Sequence, residues 1–588
     1  MRDAGLKYQL NYEIRDLDLA LISRYVDGLL WVVTILLLIG TSLALILLSL
    51  GRSRQAVLTY SIALALGLIL ACNGQTQNAG CLALVADLAC LAVLCSRPKF
   101  LTLVQLEART AITLVLAPVL FILLAIETAS ASVWICNIFD PRPVFDGSTR
   151  WNLPLLELKL ADILYSFSPT LFLLAALSWL PTLPAAIANM GSATTRASST
   201  RTRLSGMLGL VTGLVFSLLV TQYPYVLGQG LQGVDATWYY SRLSQTHTIS
   251  DATSLLFFEP RAPYLILLFL LRSATGLPAL VIVEWGSTML AASLAVSMLF
   301  FVLVVTDDWT VAGIGACLAV LSFEVTVGMY AGIYANWLAI SPMLIGLGCL
   351  ISYTHTRKPR YLAGFVLASY VVLIVHGWTW GIMIASVAAS LIMTLIGLLV
   401  RGGSKLRAEL KTSSVALLLT AAPVAAVILG ATAFPIGPGF SAASSGYYGV
   451  VKTMSIYNLA NQQTVLPLTL SRHVGGLLDF PPLFLLATLG VLSFCWIPRR
   501  GNRLLFAWLA ATSVGSLLVD PWYQWRIIYL MPLPVFTVLG VTFVAAQLAR
   551  PRSSARRLEK IVLVAFLFVV ALGFLNYSFR SVSFLPSP

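Results

Sequence analysis

The chain has 588 residues, of which 59% are hydrophobic and only 10% are charged, and its mean hydropathy is +0.89. This composition lies far outside that of soluble globular domains and predicts a polytopic membrane protein. The net charge of +14 comes from short basic clusters between apolar segments. Such clusters orient membrane helices, so their distribution argues against nucleic-acid binding.

Apolar runs of about 20 residues, the length that crosses a bilayer, recur along the whole chain. We therefore expect an all-α polytopic membrane protein with about 16 transmembrane helices. The shorter run from Pro263 to Leu271 predicts a partial or interfacial helix instead. The long runs begin near Leu29, Ala56, Cys81, Ala111, Ile163, Gly206, Pro278, Val311, Asn336, Tyr361, Trp380, Ser413, Pro482, Leu504, Ile527 and Ile561.

Basic clusters mark alternate loops as cytoplasmic, because Lys and Arg are retained on that side of the membrane. The resulting topology puts both termini and the long loops 223–262 and 435–481 on the extracytoplasmic side of the plasma membrane. It puts Asp307 and Asp308 on the cytoplasmic side. We expect these two acids to be helix N-caps rather than a metal-binding pair.

The stretch 188–204 is rich in Ser, Thr, Ala and Arg and predicts a flexible, basic cytoplasmic linker. It divides the chain into two parts. Residues 1–187 form an expected N-terminal module of five membrane helices whose role the sequence does not indicate. Residues 205–588 form a second bundle that carries both long outer loops.

The sequence GVDATWYYSRL places Asp235 next to aromatic and basic residues just past a hydrophobic run. A carboxylate in such a place can act as a general base while Trp238, Tyr239 and Arg242 confine a substrate. The alternative interpretation is an ordinary loop acid among aromatic residues of the membrane interface.

The sequence DPWYQWRIIYLMPLP places Arg526 at the expected outer mouth of a helix. Its planar guanidinium matches the oxygens of a lipid-linked phosphate, and Trp522 and Tyr523 would flank the lipid. The alternative is an arginine that extends to the membrane interface within an aromatic belt.

Further substrate-binding candidates are polar residues placed near the same expected membrane face. Glu324 is an acid within an apolar helix, a placement that favours a functional role. His376 lies at an expected outer helix end, where the alternative is a structural histidine satisfied by its neighbours. The others lie in the 435–481 loop. No Walker A, HExxH or complete GxSxG arrangement occurs, and no metal site is predicted. The candidates in the loop are Tyr447, Tyr448, Lys452, Arg472 and His473.

The order of these features resembles the GT-C superfamily of membrane glycosyltransferases. The helix beginning near Gly206 is followed by VDATWYYSRL and then by EPRAPYLILLFL, and the first string is similar to the D-P-W-F-N-Y-R loop of oligosaccharyltransferase catalytic subunits. A later helix is similar to the one that leads to their acidic S-x-D-N-E motif. At that place this chain has Tyr334, Ala335 and Asn336, so the acidic pair is missing.

The resemblance covers roughly residues 205–550 and implies an inverting glycosyltransferase. It would move a sugar from a polyprenyl-phosphate donor to an acceptor hydroxyl on a glycan, a lipid or a protein, at the external membrane face. The missing acidic pair implies the metal-independent members, such as protein O-mannosyltransferases. Asp235 would be the base, Arg526 the donor phosphate ligand and Asn336 a substrate contact, with no cofactor besides the lipid-linked substrate.

Two other classes of protein remain open at this point. A transporter or flippase for a lipid-linked or amphipathic substrate fits the number of helices, although no inverted repeat is evident. The other class is a membrane assembly scaffold, in which the N-terminal module of five helices would dock a partner.

Overall fold

The computed structural model describes a set of helices in the second part of the chain. The described residues are 200–226, 228, 230–233, 235–254, 261–401, 404–433, 481–496, 500–548 and 556–583, with a few isolated positions elsewhere. All regular structure in these ranges is helical. The module predicted for residues 1–187, most of the linker 188–204 and nearly all of the 435–481 loop lie outside them.

The helices are labelled in chain order. They are α1 Thr200–Val226, α2 Ala236–Gln245, α3 Ile249–Ser254, α4 Ala262–Thr275, α5 Ala279–Thr306, α6 Trp309–Val320, α7 Phe323–Ala331, α8 Tyr334–Thr356, α9 Pro359–Val375, α10 Gly377–Arg401, α11 Ser404–Ala433, α12 Pro481–Trp496, α13 Asn502–Leu518, α14 Pro521–Ile528, α15 Leu533–Leu548 and α16 Arg556–Ser583.

Five helical segments in the described ranges are long and apolar enough to cross a bilayer. Together with the purely helical structure they bear out the expectation of an all-α membrane protein. The total of about 16 spans stays a prediction. The short run near Pro263 forms α4, whose 14 residues are fewer than the about 20 needed for a full crossing. The five segments are Thr202–Val226, Ala279–Thr306, Trp309–Ala331, Tyr334–Thr356 and Gly377–Leu399.

Glycines bring α1 into close contact with α6. A Cβ added to Gly209 would lie 2.6 Å from the Cα of Gly313, and one added to Gly213 would lie 2.9 Å from the carbonyl oxygen of Ala316. Small residues let membrane helices approach until their backbones touch, which increases the van der Waals contact that holds them together. This interface anchors α1, the helix that leads into the segment of Asp235.

Two apolar runs are interrupted where the sequence reads as continuous. The run near Val311 is divided into α6 and α7, and Ser578 Oγ donates to the carbonyl oxygen of Leu321 at the break. The run expected from Ile527 is also divided, because α14 ends at Ile528 and α15 begins only at Leu533. Pro532 lies in that gap and cannot donate the backbone hydrogen bond that a continuous helix needs.

The two acids between α5 and α6 have separate roles. Asp308 is the N-cap predicted for it, since its carboxylate accepts the backbone N–H groups of Thr310 and Val311. The same prediction is wrong for Asp307, which ends α5 in the left-handed conformation at φ 56° and pairs with Arg500 at 3.0 Å. An acid at this helix end stays exposed, and its arginine partner comes from one of the basic clusters.

We predict that Gly209→Val destabilises the protein by about 1–3 kcal/mol, because the new side chain would overlap the backbone of α6. The measurement is the free energy of unfolding or the thermal midpoint in detergent. Gly381→Ala is the matched control, since a Cβ there meets no atom within 4 Å and alanine favours a helix. An unchanged midpoint in Gly209→Val would contradict the close helix contact.

Candidate active site

Asp235 lies at the start of α2, so the stretch expected as an outer loop is helical from Ala236 to Gln245. Asp235 occupies the N-cap position, but its φ of −94° and ψ of −4° are already helical, and its side chain makes no capping hydrogen bond. An aspartate at an N-cap normally accepts backbone N–H groups with its carboxylate. Here the carboxylate is left for a different partner.

Two glycines fix the position of the Asp235 backbone against the turn between α7 and α8. Gly332 has a φ of +66°, and a Cβ there would lie 2.6 Å from the backbone nitrogen of Asp235. Gly233 has a φ of +98°, and a Cβ there would lie 2.9 Å from the Cα of Gly332. Only glycine combines these conformations with so close an approach. The start of α2 is therefore held against the start of α8.

The partner of the Asp235 carboxylate is Arg261, whose Nη2 lies 3.0 Å from Oδ2. The Arg261 guanidinium also lies 5.2 Å from the centre of the Trp238 ring, and Arg242 lies 5.8 Å from the same ring. Both distances allow a cation–π interaction. The segment from α2 to the start of α4 thus forms a small polar surface of one carboxylate, two guanidinium groups and an indole.

Arg526 reaches the same region from α14, far away in the sequence. It lies close enough for its positive charge to lower the pKa of both Asp235 and His376. Its guanidinium is 5.3 Å from the centre of the Trp525 ring. Tyr523 and Trp522 lie in the same short helix, and Tyr523 packs against the buried core. The two residues predicted as base and phosphate ligand are thereby brought together.

The net pKa of Asp235 is raised above its usual value of 3.8. Burial is the largest cause, because it disfavours the charged form. Arg261 and Arg526 act in the opposite direction and favour the carboxylate. The ion pair therefore offsets part of the effect of burial, and Asp235 takes up a proton more readily than a solvated aspartate.

His376 lies between α9 and α10 and belongs to a chain of polar contacts. Its Nδ1 is 2.8 Å from Thr379 Oγ1, and the Thr379 hydroxyl donates to Asn336 Oδ1 at 2.6 Å. Burial, together with the nearby Arg526 charge, lowers the pKa of His376 to about 3. The imidazole is therefore neutral at physiological pH. Asn336 positions Thr379 against the His376 ring through this hydrogen bond, a role that requires no contact between Asn336 and a ligand.

Below this surface is a cluster of three buried tyrosines. The ring centres of Tyr239 and Tyr264 are 5.1 Å apart, and each lies 5.6 Å from that of Tyr334. Tyr334 Oη donates to the carbonyl oxygen of Gln232 at 2.9 Å. Tyr239 is only 1% exposed, and its role in substrate binding stays a prediction. It packs α2 onto α4 and α8.

Glu324 lies in the first turn of the apolar helix α7, just after the break between α6 and α7, and is 4% exposed. Ser322 Oγ donates to its carboxylate, and Tyr529 Oη donates to its backbone oxygen at 2.8 Å. These contacts bury Glu324 at the start of α7 beside the segment that follows α14, and its role in substrate binding stays a prediction. The remaining candidates, Tyr447, Tyr448, Lys452, Arg472 and His473, lie outside the described residues.

The sequence did not single out Arg261, Thr379 or Gly332 as site residues. Thr379 follows His376 by three positions, a spacing that lets it contact the ring at the start of a helix. Arg261 precedes Pro263 at the start of α4, where a cation is disfavoured by the helix dipole and needs an acidic partner. Gly332 carries no such signal, because only the tertiary fold shows what lies against it.

In the described ranges no group of three or more His, Cys, Asp and Glu residues is placed to hold a metal ion. No protein-family model and no curated protein matches this chain. The fold defines an all-α integral membrane protein. The site at one end of its bundle combines an aspartate, arginines, a neutral histidine and an indole.

We predict that His376 stays neutral between pH 5 and pH 8, because its pKa is lowered to about 3. The measurement is NMR of protein with isotope-labelled histidine in lipid nanodiscs, with His376→Gln to assign the resonance. Its ring signals should not shift over this range. A titration midpoint near the usual value of 6.5 would contradict the burial of the ring.

Proposed function

We propose that the protein is an integral membrane glycosyltransferase of the GT-C type. It transfers a sugar from a polyprenyl-phosphate donor to an acceptor hydroxyl at the extracytoplasmic face of the plasma membrane. One observation carries this proposal: the carboxylate of Asp235 in α2 pairs with Arg261 at 3.0 Å, and Arg526 of α14 is near enough for its charge to favour the same carboxylate. A base and an anion-binding cation near each other are the two groups that such a transfer requires.

In the proposed reaction the acceptor hydroxyl attacks the anomeric carbon of the donor sugar. Its proton passes to the Asp235 carboxylate, and the bond between the anomeric carbon and the phosphate oxygen breaks with inversion. The electron pair of that bond leaves with the polyprenyl phosphate. Arg526 binds this phosphate, because a guanidinium stabilises the charge that develops on the leaving group.

The surroundings of Asp235 suit a sugar held at a membrane surface. Trp238 is half-buried, and its ring holds the guanidinium groups of Arg242 and Arg261 next to Asp235, where a sugar phosphate would bind. Thr379 contacts Nδ1 of the neutral His376 ring through its hydroxyl and its backbone N–H, and the proposal assigns Nε2 to a sugar hydroxyl. Arg242, next to Trp238, adds a donor for the acceptor or the phosphate.

Metal-independent transfer is part of the proposal. Metal-dependent members of the GT-C superfamily, which this chain resembles, carry an acid where this chain has Ala335. The neighbouring Asn336 accepts a hydrogen bond from the Thr379 hydroxyl through its Oδ1. The positive charge next to the leaving phosphate is then that of Arg526. Assays with defined lipids would identify the sugar, the acceptor and the partners of the protein.

We predict that Asp235→Asn lowers the rate of sugar transfer by about 10²–10⁴-fold, the usual contribution of a general base. Arg526→Ala should also abolish most transfer, by loss of phosphate binding. The measurement is transfer from a defined polyprenyl-phosphate sugar by purified protein in nanodiscs. Asp251→Asn is the matched control, because Asp251 is an exposed acid on α3 that caps its own helix.

Full activity of both Asp235→Asn and Arg526→Ala would overturn the assigned roles. Movement of the lipid-linked sugar across vesicle membranes without any product would favour a flippase instead. Both assays use the same reconstituted protein. The thermal midpoint of each variant shows whether a loss of activity comes from a folding defect or from the chemical step.

We also predict an acidic limb in the pH profile of transfer. The base form of Asp235 exists above its pKa, and burial raises that pKa above 3.8 against the opposing charges of Arg261 and Arg526. The rate should therefore fall tenfold per pH unit as the pH drops below the raised pKa. A profile that stays flat down to pH 3.8 would contradict the role of Asp235 as the base.

A further inference from the structure

The ion pair between Arg261 and Asp235 places a cation directly on the group proposed as the base. The two side chains are joined at 3.0 Å, and they remain 36% and 22% exposed, respectively. A ligand at the surface can therefore reach both. An arginine here favours the carboxylate over the acid, but it also lowers the affinity of Asp235 for the proton that it must accept.

The charges change in a matched way during the proposed transfer. The donor is a phosphodiester with one negative charge, and the leaving polyprenyl phosphate is a monoester with two once its second proton is absent. At the same time the acceptor proton neutralises Asp235. Arg261 then loses the negative charge of its partner at the moment when a new negative charge appears on the phosphate.

We propose that Arg261 is a second phosphate-binding catalytic residue, which pairs with Asp235 before transfer and with the leaving phosphomonoester after it. This inference rests on the proposed function and deepens it, because it assigns the group that meets the second phosphate charge. Total charge is conserved in the exchange. The proton moves from the acceptor to Asp235, and the guanidinium stays charged throughout, since arginine does not deprotonate in proteins.

The contacts of Arg261 allow this exchange without a change of fold. Its backbone is fixed at the N-cap of α4, whereas the guanidinium rests on the Trp238 ring at 5.2 Å. A guanidinium has five N–H donors, and the ion pair with Asp235 is made through Nη2. The planar group can therefore bind a phosphate oxygen with some donors while others still contact Asp235.

Arg242 does not duplicate this arrangement. It lies 5.8 Å from the same indole, but in the described part of the chain the carboxylate of Asp235 forms its salt bridge with Arg261. Arg272, also on α4, is engaged with backbone oxygens of Leu243 and Thr246. Among these three arginines, Arg261 is the one shown to contact both the Asp235 carboxylate and the Trp238 ring.

The test is the binding of a short-chain polyprenyl monophosphate, the product of the reaction, to protein in nanodiscs at pH 8. Asp235→Asn mimics the protonated base, so it should bind this monoester about tenfold more tightly than the unaltered protein does, the factor expected for one charge-assisted hydrogen bond. Arg261→Gln should weaken binding by about tenfold. In the double variant Asp235→Asn/Arg261→Gln the gain should disappear.

Arg360→Gln is the matched control. Arg360 is an exposed arginine that also lies over an aromatic ring, 5.0 Å from the centre of Tyr361. It lies in the first turn of α9, just beyond the C-terminal end of α8, whereas Gly332 precedes the N-terminal end of α8. Removing its charge should leave monoester binding unchanged. Arg261→Lys keeps the charge and should retain part of the affinity, which separates charge from misfolding.

In the Asp235→Asn background, where no base titrates, the effect of Arg261→Gln should also depend on pH. The second ionisation of a phosphomonoester lies near pH 6, so the loss of affinity should grow as the pH rises from about 5 to 8. Equal losses at both pH values would overturn the proposal, as would a double variant that binds as tightly as Asp235→Asn.

A transfer assay on the same preparations separates this inference from the proposed function. If the unaltered protein transfers no sugar from any polyprenyl-phosphate donor, the proposed function fails. If it does transfer sugar but its affinity for the monoester does not depend on Arg261, the inference alone fails.

Discussion

The ion pair between Asp235 and Arg261 is the interaction on which the site depends. It joins the start of α2 to the start of α4, and it favours the charged form of a partly buried carboxylate. A buried charge without such a partner is unfavourable and is neutralised instead. The exposed fraction of both side chains is large enough that the pair remains accessible to a ligand.

The rest of the site is held by contacts that are themselves buried. Gly233 and Gly332 bring the Asp235 backbone against the turn before α8, and the tyrosine cluster fills the space underneath. The chain from Asn336 through Thr379 orients His376 beside Arg526. Four separate parts of the chain therefore meet at one end of the bundle, with rigid packing below and charged groups above.

The opposite end of the bundle has a different character. α8 has 23 residues, a length of about 34 Å, and beyond its C-terminal end Arg357 donates to the carbonyl oxygen of Ala408. Arg503 pairs with Glu409, the residue after Ala408, and Arg500 pairs with Asp307. Arg357, Arg500 and Arg503 each belong to a basic cluster of the sequence, and they take part in ion pairs and a backbone contact away from the Asp235 site.

The sequence by itself determined that this is a helical membrane protein, because apolar runs of sufficient length leave the backbone no other way to satisfy its hydrogen bonds in lipid. It also picked out Asp235, Arg526 and His376, since charged or polar groups among apolar residues are rare enough to stand out. It could not tell that Tyr239 is buried or that Asp307 ends a helix, because these depend on which neighbours pack against them. Only the tertiary structure decided that Arg261 pairs with Asp235 and that Arg526 lies near both Asp235 and His376. Electrostatic partners are set by distance in space, and helix packing brings together residues that no local pattern connects.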